Sequence, residues 1–194
     1  MVNFTERLFL FIDKTFRKGD RPDNSPSHKI LLLGLGNAGK TRLLYHYFGE
    51  ERDIVPTIGF NLEEIRYNKQ KFTMQDLGSG RRSSRDLWKC YYQDTRAIFL
   101  VIDALDRHRL RCSTNDCGDC AYCVHQQIVQ ETDSLIPKPR ICFLLNKCNG
   151  DDPISTETLI ETLELPPDSP VFQVSAVTGQ GVYEPLEWVL DNVL

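Results

Sequence analysis

The sharpest change of pattern along the chain falls at Ile30-Leu31-Leu32-Leu33, four consecutive apolar residues that stop at Gly34. A short uninterrupted apolar run bounded by glycine reads as a strand covered on both faces. Small residues follow as far as Thr41. Leu43-Leu44 and Tyr47-Phe48 then recur at helical spacing, which predicts a helix over 41–48 stopped at Gly49. Beyond it Leu62, Ile65 and Tyr67, then Phe72 and Met74, alternate with polar residues. They predict a β-hairpin of strands 61–67 and 71–77 joined across Asn68-Lys69-Gln70. Residues 141–145 and 171–174 are again strand-like, and Val182, Leu186, Val189, Leu190 and Val193 mark a closing helix within 181–194. At the other end Phe4, Leu8, Phe11, Ile12 and Phe16 repeat at helical spacing, with Arg7, Lys14, Arg17 and Lys18 elsewhere. That amphipathic helix either lies on a membrane surface or packs on the domain, since an apolar stripe alone does not name its partner. A polar, proline-containing linker, 19–27, separates it from the first strand.

Composition narrows the class. The chain has 194 residues, 41% hydrophobic and 26% charged, which suits one folded domain over 28–194 behind the N-terminal segment 1–27. A net charge of -4 without a basic face argues against nucleic-acid binding. No apolar run approaches the ~20 residues that span a bilayer. The short run 8–12 follows Glu6 and does not read as a signal peptide. Val2 excludes N-myristoylation, no lipidation motif ends the chain, and any membrane hold by the first helix is therefore weak and reversible. Seven cysteines, an odd number in a core-forming chain, suit a reduced, cytoplasmic compartment.

Candidate chemistry begins where the first strand ends. Gly34-Leu35-Gly36-Asn37-Ala38-Gly39-Lys40-Thr41 meets every fixed position of a phosphate-binding loop. Residues without side chains let backbone N–H groups curl around a polyphosphate, and the following helix turns its positive end to the same anion. Lys40 then reaches the outer phosphates and the Thr41 hydroxyl binds Mg²⁺. Asp76, at the end of the hairpin's second strand, stands where a carboxylate that holds Mg²⁺ directly or through water belongs, and the Gly78 amide can donate to a terminal phosphate.

From Gly34 to Gly78 the chain resembles a small GTPase of the ADP-ribosylation factor and Arf-like family, on the phosphate loop, on Pro56-Thr57-Ile58-Gly59-Phe60-Asn61 and on Asp76-Leu77-Gly78. Leu87-Trp88-Lys89, Tyr91-Tyr92, residues 97–103 and Asp106-Arg107 are similar too, so the likeness runs from about Lys29 onward. The resemblance implies an α/β phosphate-loop fold: a mostly parallel six-stranded sheet with one antiparallel edge hairpin and helices on both faces. It implies GTP or GDP with Mg²⁺ as ligands, held at the phosphates by Gly34, Gly36, Asn37, Ala38, Gly39, Lys40, Thr41 and Gly78, and at the metal by Thr41, Thr57 and Asp76. Asn146, Lys147, Asn149, Ser175 and Ala176 correspond to the base-binding loops, with the Ala176 amide aimed at guanine O6. Loss of the γ-phosphate releases the Thr57 and Gly78 loops, a change that effectors and regulators read.

Three departures fall on these positions. Family members carry a glutamine after Asp-x-Gly-Gly, which orients the attacking water; here Gly80 stands in its place, and slow hydrolysis is expected. Asn149 replaces the aspartate that accepts from the guanine N1–H and N2–H₂ edge, so weaker guanine affinity is expected and xanthine suits the position better, with Asp151 and Asp152 near enough to leave the assignment open. Gln75 occupies the tryptophan position of an aromatic effector patch whose other members, Phe60 and Tyr91, serve either as contacts or as packing.

Between about 108 and 125 lies an insert with Cys112, Cys117, Cys120, Cys123 and His125. Five soft ligands exceed the four of a tetrahedral zinc site, but all fall within one short stretch; the other reading is an exposed, oxidation-prone loop. Cys90, Cys142 and Cys148 read as buried or incidental thiols. Taken together these features make the leading expectation a nucleotide-dependent switch in membrane, vesicle or ciliary trafficking, peripheral on an intracellular membrane. Its alternative is a pseudo-GTPase scaffold or interaction module, with or without zinc in the insert, that cycles no nucleotide.

Overall fold

The computed structural model describes residues 26–49, 59–78, 85–113 and 119–194. The expected amphipathic helix, Thr57, Gly80 and Cys117 lie outside these residues. Strand β1 (Ser27–Leu33) leads into helix α1 (Lys40–Phe48), and the hairpin follows as β2 (Phe60–Tyr67) and β3 (Gln70–Leu77). Then come β4 (Thr95–Asp103), α2 (Ala121–Thr132), β5 (Arg140–Asn146), α3 (Thr156–Leu163), β6 (Val171–Val174) and α4 (Glu184–Asn192). The sheet has six strands in the order β2-β3-β1-β4-β5-β6. Among the described residues only the edge pair β2–β3 is antiparallel, in keeping with the expected architecture.

The apolar run of β1 is continuous because both sides of the sheet are covered. Strand alternation sends Ile30 and Leu32 to one side, where α1 and α4 contribute Leu43, Leu44, Tyr47, Leu186 and Val189. Leu31 and Leu33 face the other, against Val124 and Ile128 of α2 and Leu159 and Leu163 of α3. All four strand residues are fully buried, each contributing about 1.5–3 kcal/mol of transfer free energy. Central parallel strands thereby place their carboxyl ends, where loops leave the sheet, on one rim.

Local chemistry sets the element ends. Asn68 and Lys69 both take positive φ, 48° and 66°, the backbone of a two-residue type I′ turn. Tyr67 therefore pairs directly with Gln70, and both strands run one residue longer than their alternation predicts. Gly49 closes α1 in the left-handed conformation, returning its N–H to Tyr45 and His46. Ser155 caps α3, its hydroxyl accepting from the Thr158 N–H at 3.2 Å. The closing helix starts only at Glu184, because Gly181 turns at φ 67° so close to β6 that a Cβ would lie 2.2 Å from the Gln173 carbonyl. Tyr183 then joins three elements: it stacks on Tyr67 at 5.5 Å and meets Tyr47 edge-on at 5.8 Å.

Candidate functional site

The phosphate loop connects β1 to α1 at the carboxyl rim of the sheet. At Gly34 (φ 139°) a Cβ would lie 2.1 Å from the Val101 carbonyl oxygen, and at Gly39 (φ 93°) another would lie 2.2 Å from the Asn146 amide nitrogen. Side chains are excluded there by neighbouring strands, which keeps a concave backbone surface open for an anion. Lys40 begins α1 and folds back over this surface, donating to the Gly34 and Leu35 carbonyls at 3.1 and 2.9 Å. Burial strips water from its ammonium and lowers its pKa from 10.5 to about 8, against the pull of Asp76 and with the push of Arg85 and Arg109.

One residue on, the Thr41 hydroxyl donates to Asp76 Oδ2 at 2.5 Å. The register of β1 with β3 sets Asp76 beside Leu32, so the carboxylate emerges next to the loop. A hydroxyl and a fully buried carboxylate form a pair of hard oxygen donors of the kind Mg²⁺ takes, so these residues fit that ion. Gly78 differs from expectation. Its N–H donates to the Gly59 carbonyl at 2.8 Å, adding a rung to the hairpin beyond Phe60–Leu77, while its own carbonyl accepts from the Trp88 indole at 3.3 Å. To meet a phosphate, that rung has to open.

The base-binding candidates converge from the ends of β5 and β6. Asn146, buried at the end of β5, donates from its amide to the Ala38 carbonyl at 2.8 Å and accepts from the Ala176 N–H at 3.0 Å. It thus ties the phosphate loop to the loop after β6. The Ala176 amide is engaged with Asn146, and to bond guanine O6 it would have to be shared or turned. Lys147 (φ 69°) reaches Asp103 Oδ2 at 2.5 Å. Ser175 accepts from the Thr178 N–H at 3.1 Å and donates to Asn149 Oδ1 at 2.8 Å, so Asn149 lies against the loop that follows β6.

Arg109 and Arg85 were not found by motif. Arg109 pairs with Asp106 at 2.6 Å and donates to the Gly36 carbonyl at 3.0 Å, clamping the phosphate loop from 73 positions away. Its sequence signal, an acid and an arginine three residues apart, is too common to single out. Phe60 and Tyr91 do meet, ring centroids 5.7 Å apart, and Phe60 remains 49% exposed.

In the insert Cys112, Cys120 and Cys123 come together, all three sulfurs within 4.8 Å of one another. His125 does not join them. Two residues past Cys123 on α2 it points to another side of the helix and packs edge-on against Phe143 at 5.3 Å, where burial lowers its pKa; this removes it from the expected ligand set. Of the thiols outside the insert, Cys142 is buried, Cys148 partly so, and Cys90 exposed.

The family model described as Arf, ADP-ribosylation factor family, matches residues 22–193. The chain is 36% identical to ADP-ribosylation factor 3 of Arabidopsis thaliana over 171 residues, 86% of this chain and 87% of that protein. It is 33% identical to ADP-ribosylation factor-like protein 2 of Drosophila melanogaster over 195 residues, 95% of each. Among solved structures, the Arl6 BBS3 small GTPase of Trypanosoma brucei with bound nucleotide analogue GppNp superposes with a TM-score of 0.73 at 25% identity, covering 87% of this chain and 98% of that one.

Proposed function

The chain belongs to the ADP-ribosylation factor family, and from that premise we propose that it is a guanine-nucleotide switch with slow unaided hydrolysis, working at an intracellular membrane. GTP binding is the family's property, and the carrying observation for this chain is the Thr41–Asp76 pair beside Lys40 in a loop kept open by Gly34 and Gly39. When bound, Mg²⁺ neutralises phosphate charge; Thr41 and Asp76 would hold it, and Lys40 would exchange its two loop carbonyls for phosphate oxygens. Asn146, Lys147, Asn149, Ser175 and Ala176 would seat the base. Slow hydrolysis rests on Gly80, which has no side chain to orient water.

Effector recognition is assigned to the switch segments and to the exposed Phe60 with Tyr91. Membrane attachment is assigned to Phe4, Leu8, Phe11, Ile12 and Phe16, reversible and peripheral, in vesicle or ciliary trafficking; among the described residues no helix is long and apolar enough to cross a membrane. The test is to denature the purified protein and identify the released nucleotide by chromatography. GTP is expected; GDP would contradict slow hydrolysis, and a nucleotide-free protein that fails to bind added GTP would favour the scaffold.

A further inference from the structure

We propose that Cys112, Cys120 and Cys123 form a zinc site that fastens the insert to the first turn of α2. The distances carry the inference. Cys120 Sγ lies 3.6 Å and Cys123 Sγ 4.0 Å from Cys112 Sγ. In a tetrahedral site with Zn–S bonds of about 2.3 Å, the edge between two sulfurs is about 3.8 Å, so the two observed separations bracket the spacing that a shared ion imposes. A disulfide needs its sulfurs about 2.05 Å apart and joins only two of three. Three thiols within 4.8 Å of one another, two of them close on Cys112, are better explained by one ion at their centre.

The surroundings suit thiolate ligands. Cys120 is buried and caps α2, its sulfur accepting from the Cys123 N–H at 3.4 Å. An N–H donor and the positive end of the helix both favour negative sulfur, and such contacts orient ligands around a metal. Next to Cys112, the Arg111 guanidinium stacks over Tyr122 at 4.1 Å and pairs with Glu164 at 2.7 Å, which ties the chain before the cluster to α2 and to the end of α3. Three thiolates leave the fourth position of a tetrahedral ion to another ligand. Soft sulfur donors select zinc over the magnesium of the phosphate site, so the two metals do not compete.

The full chain, purified under reductant, would be analysed for metal by plasma mass spectrometry, then stripped and titrated with Zn²⁺ and with Co²⁺ as a visible reporter. One zinc per chain is expected, released when the thiols are modified, together with the absorption bands of tetrahedral thiolate-bound cobalt. Cys112→Ser, at a half-buried ligand, is expected to abolish tight zinc binding while the chain still binds guanine nucleotide. Cys90→Ser, at an exposed thiol outside the cluster, should keep the metal. The proposal is overturned if the reduced protein neither carries nor takes up zinc or cobalt. It is equally overturned if Cys112→Ser/Cys123→Ser retains full stoichiometry. Nucleotide binding in each variant separates failure of this site from failure of the switch reading.

Discussion

Replacing Asn149 by aspartate should tighten GTP binding and reverse the preference between guanine and xanthine. Ser175 holds the Asn149 amide oxygen at 2.8 Å while its own oxygen accepts from Thr178, so the amide's orientation is anchored from behind. One lone pair of Oδ1 remains for a base, and the second position is an NH₂ donor. Guanine presents two donors to that pair of atoms, so one of them meets a donor. Xanthine, with a carbonyl at position 2, presents one donor and one acceptor and matches. In Asn149→Asp the anchored oxygen keeps Ser175 and the other end becomes a charged acceptor. A hydrogen bond to a charged group contributes about 1.5–3 kcal/mol, or roughly 12- to 150-fold in affinity. Displacement of a fluorescent GDP analogue by GTP and by XTP, for both proteins at fixed Mg²⁺, measures it. Equal affinity of the unmodified protein for the two triphosphates, or unchanged GTP affinity in Asn149→Asp, would refute the assignment of this residue to the base edge.

Lys40 predicts a proton linkage: with its pKa at about 8 in the nucleotide-free protein, triphosphate binding near pH 8 should take up protons, and affinity should fall roughly fivefold from pH 8 to 9 as the ammonium empties. Calorimetry in buffers of different ionisation enthalpy measures the uptake. Because that value lies below the unfolded 10.5, the unfolded chain binds more protons between them, and the nucleotide-free protein should gain stability as pH rises through this window. Single-turnover hydrolysis without partners should be no faster than roughly 10⁻³ s⁻¹, the order of intrinsic rates in this class, and Gly80→Gln should speed it; a faster unmodified protein refutes the role given to Gly80. Gly34→Ala should abolish nucleotide binding or folding, since its Cβ would meet strand backbone that cannot yield, as gel filtration and nucleotide content would report.

Much of this was legible in the chain because it is local. A glycine loop after an apolar strand, an alternating hairpin and a carboxylate at a strand end each depend on neighbours a few positions away, and Lys40, Thr41 and Asp76 fall together as their order implies. What could not be read depends on pairings distant in sequence. Gly78 is drawn into a rung with Gly59, and Ala176 spends its amide on Asn146, 30 positions away. His125 has ligand chemistry and the right neighbourhood, yet helical geometry turns it toward Phe143. Spacing within a helix would have excluded it once Cys123 was placed on the same helix.

The insert is not isolated from the phosphate site, and this yields a last prediction. Arg109, three residues before Cys112, holds the Gly36 carbonyl; Asp119, next to Cys120, faces the buried Arg85 at 3.5 Å. Both arginines push on Lys40. Arg109→Ala has two opposing effects: it relieves that push, which returns Lys40 toward its ordinary pKa, and it removes both a donor to the loop and a cation from a site built for polyanions. Near pH 7 Lys40 is already mostly protonated, so the first effect adds little and the second decides. One lost hydrogen bond of about 0.5–1.5 kcal/mol predicts nucleotide affinity lower by roughly 2- to 12-fold. At pH 9 the relief of Lys40 counts, and the deficit should shrink. A deficit that is the same at both pH values would mean that Arg109 acts on the loop alone and leaves the charge of Lys40 untouched.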